Sequence, residues 1–286
     1  ARNKGMKVAR GKYLSILDSD DFFEPDMLEK AYLQSERDDA DICVFRSDQY
    51  DTQENQYRKI PWTIKQRYLP NQIPFSAKEI RPYVFQIFNG WSWDKLYRRS
   101  FVKSNKLQFQ GLRTTNDAFF VFLMNIQAQK ITIVDKILAH HRVNTKTSLS
   151  VTREKSWECC WKAIFAIREE LIVRGQYELV EQSFVNWVVH FLLWNVRTLE
   201  GKAKSALITA IREQYNSVLN IEKYKKEYFY NKGEYREFLN ICRLNKKIKN
   251  IKEGTLRKSV RYLKKYGLEE VIEKLLEIVN VLMRKI

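Results

Sequence analysis

The spacing of apolar positions changes near residue 150. Before it, short apolar runs alternate with amphipathic stretches; after it, apolar residues recur at helical intervals. Residues 12–17 include Tyr13, Leu14, Ile16 and Leu17, a run that predicts a strand buried on both faces. The run stops at Asp18-Ser19-Asp20-Asp21. Pro25 then opens a helix, with Met27, Leu28, Ala31 and Tyr32 on its expected inner face. Residues 41–45 read as a second strand, so this part of the chain is α/β. Residues 50–75 are polar, carry Pro61, Pro70 and Pro74, and read as a long loop or loose hairpin. A helix is predicted over 77–88 and is broken by Gly90. A second begins near Asp117 and runs to about 128. Strands are predicted at 131–134 and 137–142.

Beyond residue 151 the pattern is helical. Trp161, Ile164, Phe165 and Ile167 begin one amphipathic stretch. Residues 184–194 are nearly all apolar, but a bilayer span needs about 20 such residues, so a buried helix is expected. At the end of the chain Val271, Ile272, Leu275, Leu276, Val279 and Leu282 share one helical face. The division suggested is residues 1–150 as an α/β unit and 151–286 as a helical accessory region.

Charge adds a candidate partner class. The net charge is +17, and from Gly201 to Ile286 there are 21 Lys and Arg against 10 Glu and no Asp. Ten basic residues and one Glu fall between 243 and 265. Such a surface attracts nucleic acid, anionic lipid or an anionic substrate, or is simply a solvated helical face. The four cysteines, Cys43, Cys159, Cys160 and Cys242, lack zinc-site spacing and read as reduced thiols. With three histidines in the whole chain, any metal must be held mainly by carboxylates, which favours Mg2+ or Mn2+.

The acidic turn is the place for it. Ligands of open α/β sheets bind just beyond strand C-terminal ends. Three carboxylates within four residues repel one another unless a cation offsets them, and a divalent ion there would also bridge to a diphosphate. The competing account is a helix cap ahead of Pro25.

Four blocks in order carry a resemblance: Ala1-Arg2-Asn3-Lys4-Gly5 with Ala9-Arg10-Gly11-Lys12-Tyr13 and the aspartate turn; Trp93-Asp94-Lys95-Leu96-Tyr97-Arg98-Arg99-Ser100-Phe101; Asn116-Asp117-Ala118-Phe119-Phe120; and His141-Arg142-Val143-Asn144 with Ser148-Leu149-Ser150. Over about residues 1–150 the chain resembles the family 2 glycosyltransferases of bacterial surface-polysaccharide type. The resemblance implies a partial GT-A sheet, lacking its first strands, followed by the helical region. It implies inverting transfer of a sugar from a nucleoside-diphosphate sugar, such as a UDP-sugar, to a glycan or lipid-linked acceptor. By position, Asp20 would hold the cation and Asp18 would lie near the metal or ribose. Asp117 would be the general base, Arg2 and Asn3 would lie close to the nucleotide, and Arg142 near the diphosphate. Trp91, Trp93 and Tyr97 would offer faces to a sugar ring, with core packing as the plainer role.

The chain departs from the family pattern at Asn116, where the family has Glu, at Asp94, where it has Asn, and at His141, where it has Tyr. The family's first strands and base-binding acidic residues would precede Ala1, so a truncated N-terminus and weak or no activity alone are expected. The expected location is cytoplasmic, with the basic C-terminal helix either packed in a bundle or meeting anionic lipid at the inner membrane face. Nucleic acid is not an expected partner, since no recognition motif accompanies the charge. A non-catalytic scaffold derived from a transferase or a basic nucleic-acid-binding protein remains the alternative, ahead of a glycosidase, for which Asp117 lacks a partner carboxylate.

Overall fold

The computed structural model describes residues 1–144 and 149–242. The basic stretch 243–265, the amphipathic segment 271–282 and Ser148 lie outside the described residues.

The chain opens with helix α1 (Arg2–Val8), followed by β1 (Tyr13–Ser15), β2 (Phe22–Phe23), α2 (Met27–Arg37), β3 (Ile42–Asp51), β4 (Gln56–Lys59), α3 (Val84–Ile87), β5 (Lys95–Arg98), α4 (Arg99–Asn105), α5 (Asn116–Gln127) and β6 (Ile131–Val143). The six strands form one mixed sheet in the order β1-β5-β3-β6-β2, with β4 also paired to β3. β6 runs parallel to β3 along its whole length, whereas β5 and β4 run antiparallel on the other edge of β3.

Alternation along β3 explains why the sheet is buried on both faces. Ile42 and Val44 enter one apolar cluster, while Cys43 and Phe45 enter another under α2. Helix α2 buries Met27, Ala31 and Ser35, a spacing of four. The expected Leu28 and Tyr32 are 53% and 45% exposed, because they lie one residue off that row. β1 is shorter than predicted and alternates: Leu14 and Ile16 are buried and Leu17 is exposed. It lies at the edge of the described sheet, and its other face carries the half-buried Tyr13, edge-on to Tyr32 of α2.

The strands expected at 131–134 and 137–142 are one strand. Its register against β3 slips around Phe45 and Arg46, where Asp135 and Lys136 bulge into solvent and Asp135 pairs with Arg46. The 50–75 segment holds the β3–β4 hairpin and then short 3-10 turns at Pro61–Thr63 and Gln66–Tyr68. The predicted helix at 77–88 is a 3-10 helix, Ala77–Tyr83, followed by the single turn α3, because Pro82 cannot donate within an α-helical ladder.

A helical layer covers the other face. α5 buries Phe120 to Asn125 without a break, sandwiched between the sheet and helices α6 (Cys159–Val173) and α7 (Tyr177–Thr198). The apolar run at 184–194 is indeed a buried stretch of α7. Helices α8 (Gly201–Ala210) and α9 (Asn216–Leu219) follow. Among the described residues no helix is long and apolar enough to cross a membrane. One apolar cluster runs from Leu14 through Phe85, Phe122, Phe184 and Trp187 to Cys242, so the sheet and the helical region share a core. All four cysteines are buried.

Candidate active site

The loop before α5 and the turn after β1 meet at Arg2. This guanidinium lies on α1, yet it pairs with Asp18 and with Asp117, 115 residues away, and donates to Asn116 Oδ1 at 2.7 Å. It also lies over the Phe109 ring, 5.3 Å from its centre. Asn3 fixes α1 in this position by a reciprocal pair of hydrogen bonds with the backbone of Phe109, both 2.8 Å. Phe109 itself stacks on Phe120 of α5 at 4.2 Å. Thus Asn3, expected beside the nucleotide, has its amide committed to the Phe109 backbone and acts as a pin for Arg2.

Asp117 is the second residue of α5, whose N-cap residue Thr115 is in the left-handed region at φ 60°. A β-branched residue is rare there, and strain of this kind costs about 1–3 kcal/mol and concentrates at functional sites. The Asp117 side chain is 14% exposed, and Ser92 Oγ donates to its Oδ2 at 3.2 Å. Burial raises its pKa to about 6; Arg2 pulls it down and Asp18 pushes it up. A carboxylate tuned to that value is suited to accept a proton near neutral pH. Asn116 in place of the family Glu leaves two carboxylates, not three, facing Arg2, and its neutral oxygen still binds the guanidinium.

The acidic turn stays compact. One oxygen each from Asp18, Asp20 and Asp21 lies within 4.8 Å of the others. Opposite ligands of a Mg2+-type ion at about 2.1 Å would stand about 4.2 Å apart, so small side-chain rotations suffice and an all-oxygen donor set suits Mg2+ or Mn2+. Asp21 accepts a hydrogen bond from the Arg142 backbone N–H at 3.0 Å. Burial raises its pKa to about 7, against that hydrogen bond, with Asp20 and Asp18 adding to the rise. The Arg142 side chain is exposed and lies over Phe22, the residue after the turn, 4.8 Å from the ring centre.

Two of the proposed sugar-binding faces are corrected. Tyr97 is 0% exposed and packs edge-on against Phe120, so it can present nothing to a sugar. Trp93, at 3% exposure, is enclosed between Trp91 and His141. Tyr97 lies in β5 and Trp93 in the turn ahead of it, and each side chain is buried in an apolar cluster. His141, which stands where the family pattern has Tyr, joins these rings. Its ring lies against Trp91 and Trp93, it is near enough to Asp20 and Asp18 to feel their charge, and its Nδ1 is buried with no hydrogen-bond partner among the described residues. Burial nevertheless lowers its pKa.

The site thus combines, on one mixed sheet, an acidic turn beyond a strand with a carboxylate of raised pKa in the first turn of a helix. Residues 1–105 match the family described as "Glycosyl transferase family 2". EpsH of Bacillus subtilis (strain 168), named a glycosyltransferase, is 30% identical over 164 residues, 55% of this chain and 45% of that protein. The cholesterol galactosyltransferase of Borreliella burgdorferi is 29% identical over 147 residues, 47% of this chain and 38% of its own length. The matched segments thus span less than half of these relatives. The crystal structure of S. aureus TarS 1-349 superimposes with a TM-score of 0.53 at 16% identity, covering 88% of this chain and 70% of that one. Its complex with UDP-GlcNAc gives 0.50 at 14% identity, covering 88% and 71%. The family match thus covers the segment that carries α1, the aspartate turn and β5, and the likeness in fold, a sheet of GT-A type, extends over most of the chain.

Proposed function

We propose that this protein transfers a sugar, with inversion, from a nucleoside-diphosphate sugar to a hydroxyl of a glycan or lipid-linked acceptor. The observation that carries the reading is the convergence of the acidic turn and Asp117 on one guanidinium from opposite ends of the α/β region. The TarS neighbour crystallised with UDP-GlcNAc supports a UDP-sugar as donor.

In the reaction, the acceptor oxygen attacks the anomeric carbon from the face opposite the diphosphate. The new C–O bond forms as the bond to the diphosphate breaks, and the diphosphate leaves with the electron pair. Asp117 takes the acceptor's proton. Ser92 and Arg2 orient its carboxylate for this step. Asp18, Asp20 and Asp21 are the residues that would hold Mg2+ or Mn2+, which when bound offsets the charge growing on the leaving diphosphate. Arg2 sits between the two carboxylate groups, placed to exchange Asp18 for a phosphate oxygen, and Arg142 adds a cation beside the turn. Positioning both substrates in one pocket supplies the remainder.

The reading predicts that Asp117→Asn lowers the transfer rate about 10²–10⁴-fold, the usual worth of a general base, while UDP-sugar affinity stays within twofold. Steady-state transfer assays with both substrates varied check this. Equal loss of donor affinity and rate would show that Asp117 only supports the fold. The proposed location is the cytoplasm, where nucleotide sugars are available. The proposed pathway class is assembly of an envelope polysaccharide.

A further inference from the structure

Trp62 sits on the 3-10 turn Pro61–Thr63 and is 44% exposed, although the turn around it is firmly held. Ile60, Thr63 and Ile64 are buried beside it, and Lys65 donates from its backbone to Ile87 at 2.9 Å. The exposure of Trp62 is therefore built in, and does not come from a loose loop.

The ring is the outer end of a continuous aromatic wall. Trp62 meets Trp91 edge-on at 5.6 Å, Trp91 stacks on Trp93 at 4.7 Å, and His141 lies 5.3 Å from Trp91. Both halves of the candidate active site border this wall. Ser92, between the two stacked tryptophans in sequence, bonds Asp117, and His141 feels Asp20 and Asp18. The outer part of the wall, Trp62 and the half-buried Trp91, is open, whereas Trp93 is closed off.

We propose that Trp62 and Trp91 form the platform on which a pyranose ring of the acceptor glycan rests. The inference takes its ligand class from the transferase reading and adds the subsite. A pyranose has one face of C–H groups, electropositive at its hydrogens, and a rim of hydroxyls. The C–H face suits the negative face of an indole, and the rim is left free to reach a carboxylate. The place of the wall argues for the acceptor over the nucleobase. A nucleobase is separated from the reacting carbon by ribose and diphosphate, whereas the acceptor hydroxyl must lie at the base itself. A wall bonded through Ser92 to Asp117 is on the acceptor's side of that divide. A rigid, preformed platform also saves the ordering cost of a mobile one.

The test is saturation-transfer NMR with methyl glycosides of glucose, galactose and N-acetylglucosamine, using wild type, Trp62→Ala and Trp62→Phe, each with and without UDP and Mn2+. Circular dichroism confirms that the variants fold. At least one glycoside is expected to show saturation focused on the C–H protons of one ring face. That signal should drop at least fivefold in Trp62→Ala, recover in part in Trp62→Phe, and persist when UDP and Mn2+ are added. Absence of saturation for all three glycosides overturns the proposal, as does an equal signal in Trp62→Ala. Displacement by UDP also overturns it, by making the wall a donor site. Glycoside binding that depends on Trp62 while UDP fails to bind would sink the transferase reading and leave the platform standing.

Discussion

At Asp117 burial and a neighbouring cation oppose each other. Burial raises the pKa to about 6, and the Arg2 guanidinium is the main influence holding it from going higher. In the proposed role of base Asp117 works only when ionised, so the rate should fall as pH drops through about 6. Arg2→Met removes the lowering influence, so the acid limb of the pH–rate profile should move to higher pH. A wild-type limb near 4, or no shift in Arg2→Met, would detach Arg2 from the base. The Arg2–Asp117 pairing was not legible in the sequence as a contact, because nothing in the pattern brings positions 115 apart together. What the residues did show was the acidic turn, since three adjacent carboxylates are anomalous without a partner. The role of Asp117 came only through the resemblance, and by itself it reads as an acidic residue at a helix start.

Among the elements, those with a clear period were legible and those held by distant contacts were not. α5, the buried stretch of α7 and the cores of strands β3 and β6 follow from apolar runs. α1 has no buried residue and is held by Arg2 and Asn3, so no periodic signal marks it. The single strand β6 was divided in two because Asp135 and Lys136 break its apolar run at a bulge. The segment ahead of β5 depends on a buried cation. Lys95, 0% exposed, donates to Asp94 at 2.5 Å and to the carbonyls of Trp91 and Asn89 at 2.8 and 3.2 Å. It thereby shapes the loop that carries Trp91 and Ser92, and Gly90 allows that loop to lie on Phe122, whose ring a Cβ would meet at 3.1 Å. Lys95→Met leaves the buried Asp94 carboxylate unpaired and should cost about 3–5 kcal/mol. Asp94→Asn, the residue usual in the family, keeps an acceptor for Lys95 and should cost clearly less. Urea unfolding measures both, and an equal loss would mean that packing, not the ion pair, sets the stability of this segment.

Across the whole molecule, the α/β region and the helices share one apolar cluster, so the site rests on a sheet clamped from both faces. The last strand ends at Val143 and α6 begins at Cys159, and the packing joins sheet and helices into one core. The clamp matters for function because Asp18 and Asp117 come from different layers: one follows an outer strand, the other starts the helix beneath α6 and α7. Their meeting at Arg2 is the central claim, read as half diphosphate site and half base. Titration calorimetry of UDP-N-acetylglucosamine with Mn2+ tests it most directly, on wild type, Asp20→Asn and Asp117→Asn. The account predicts saturable, Mn2+-dependent binding that Asp20→Asn weakens at least tenfold and Asp117→Asn leaves within twofold. No binding in wild type, or binding indifferent to both Mn2+ and Asp20, would contradict it.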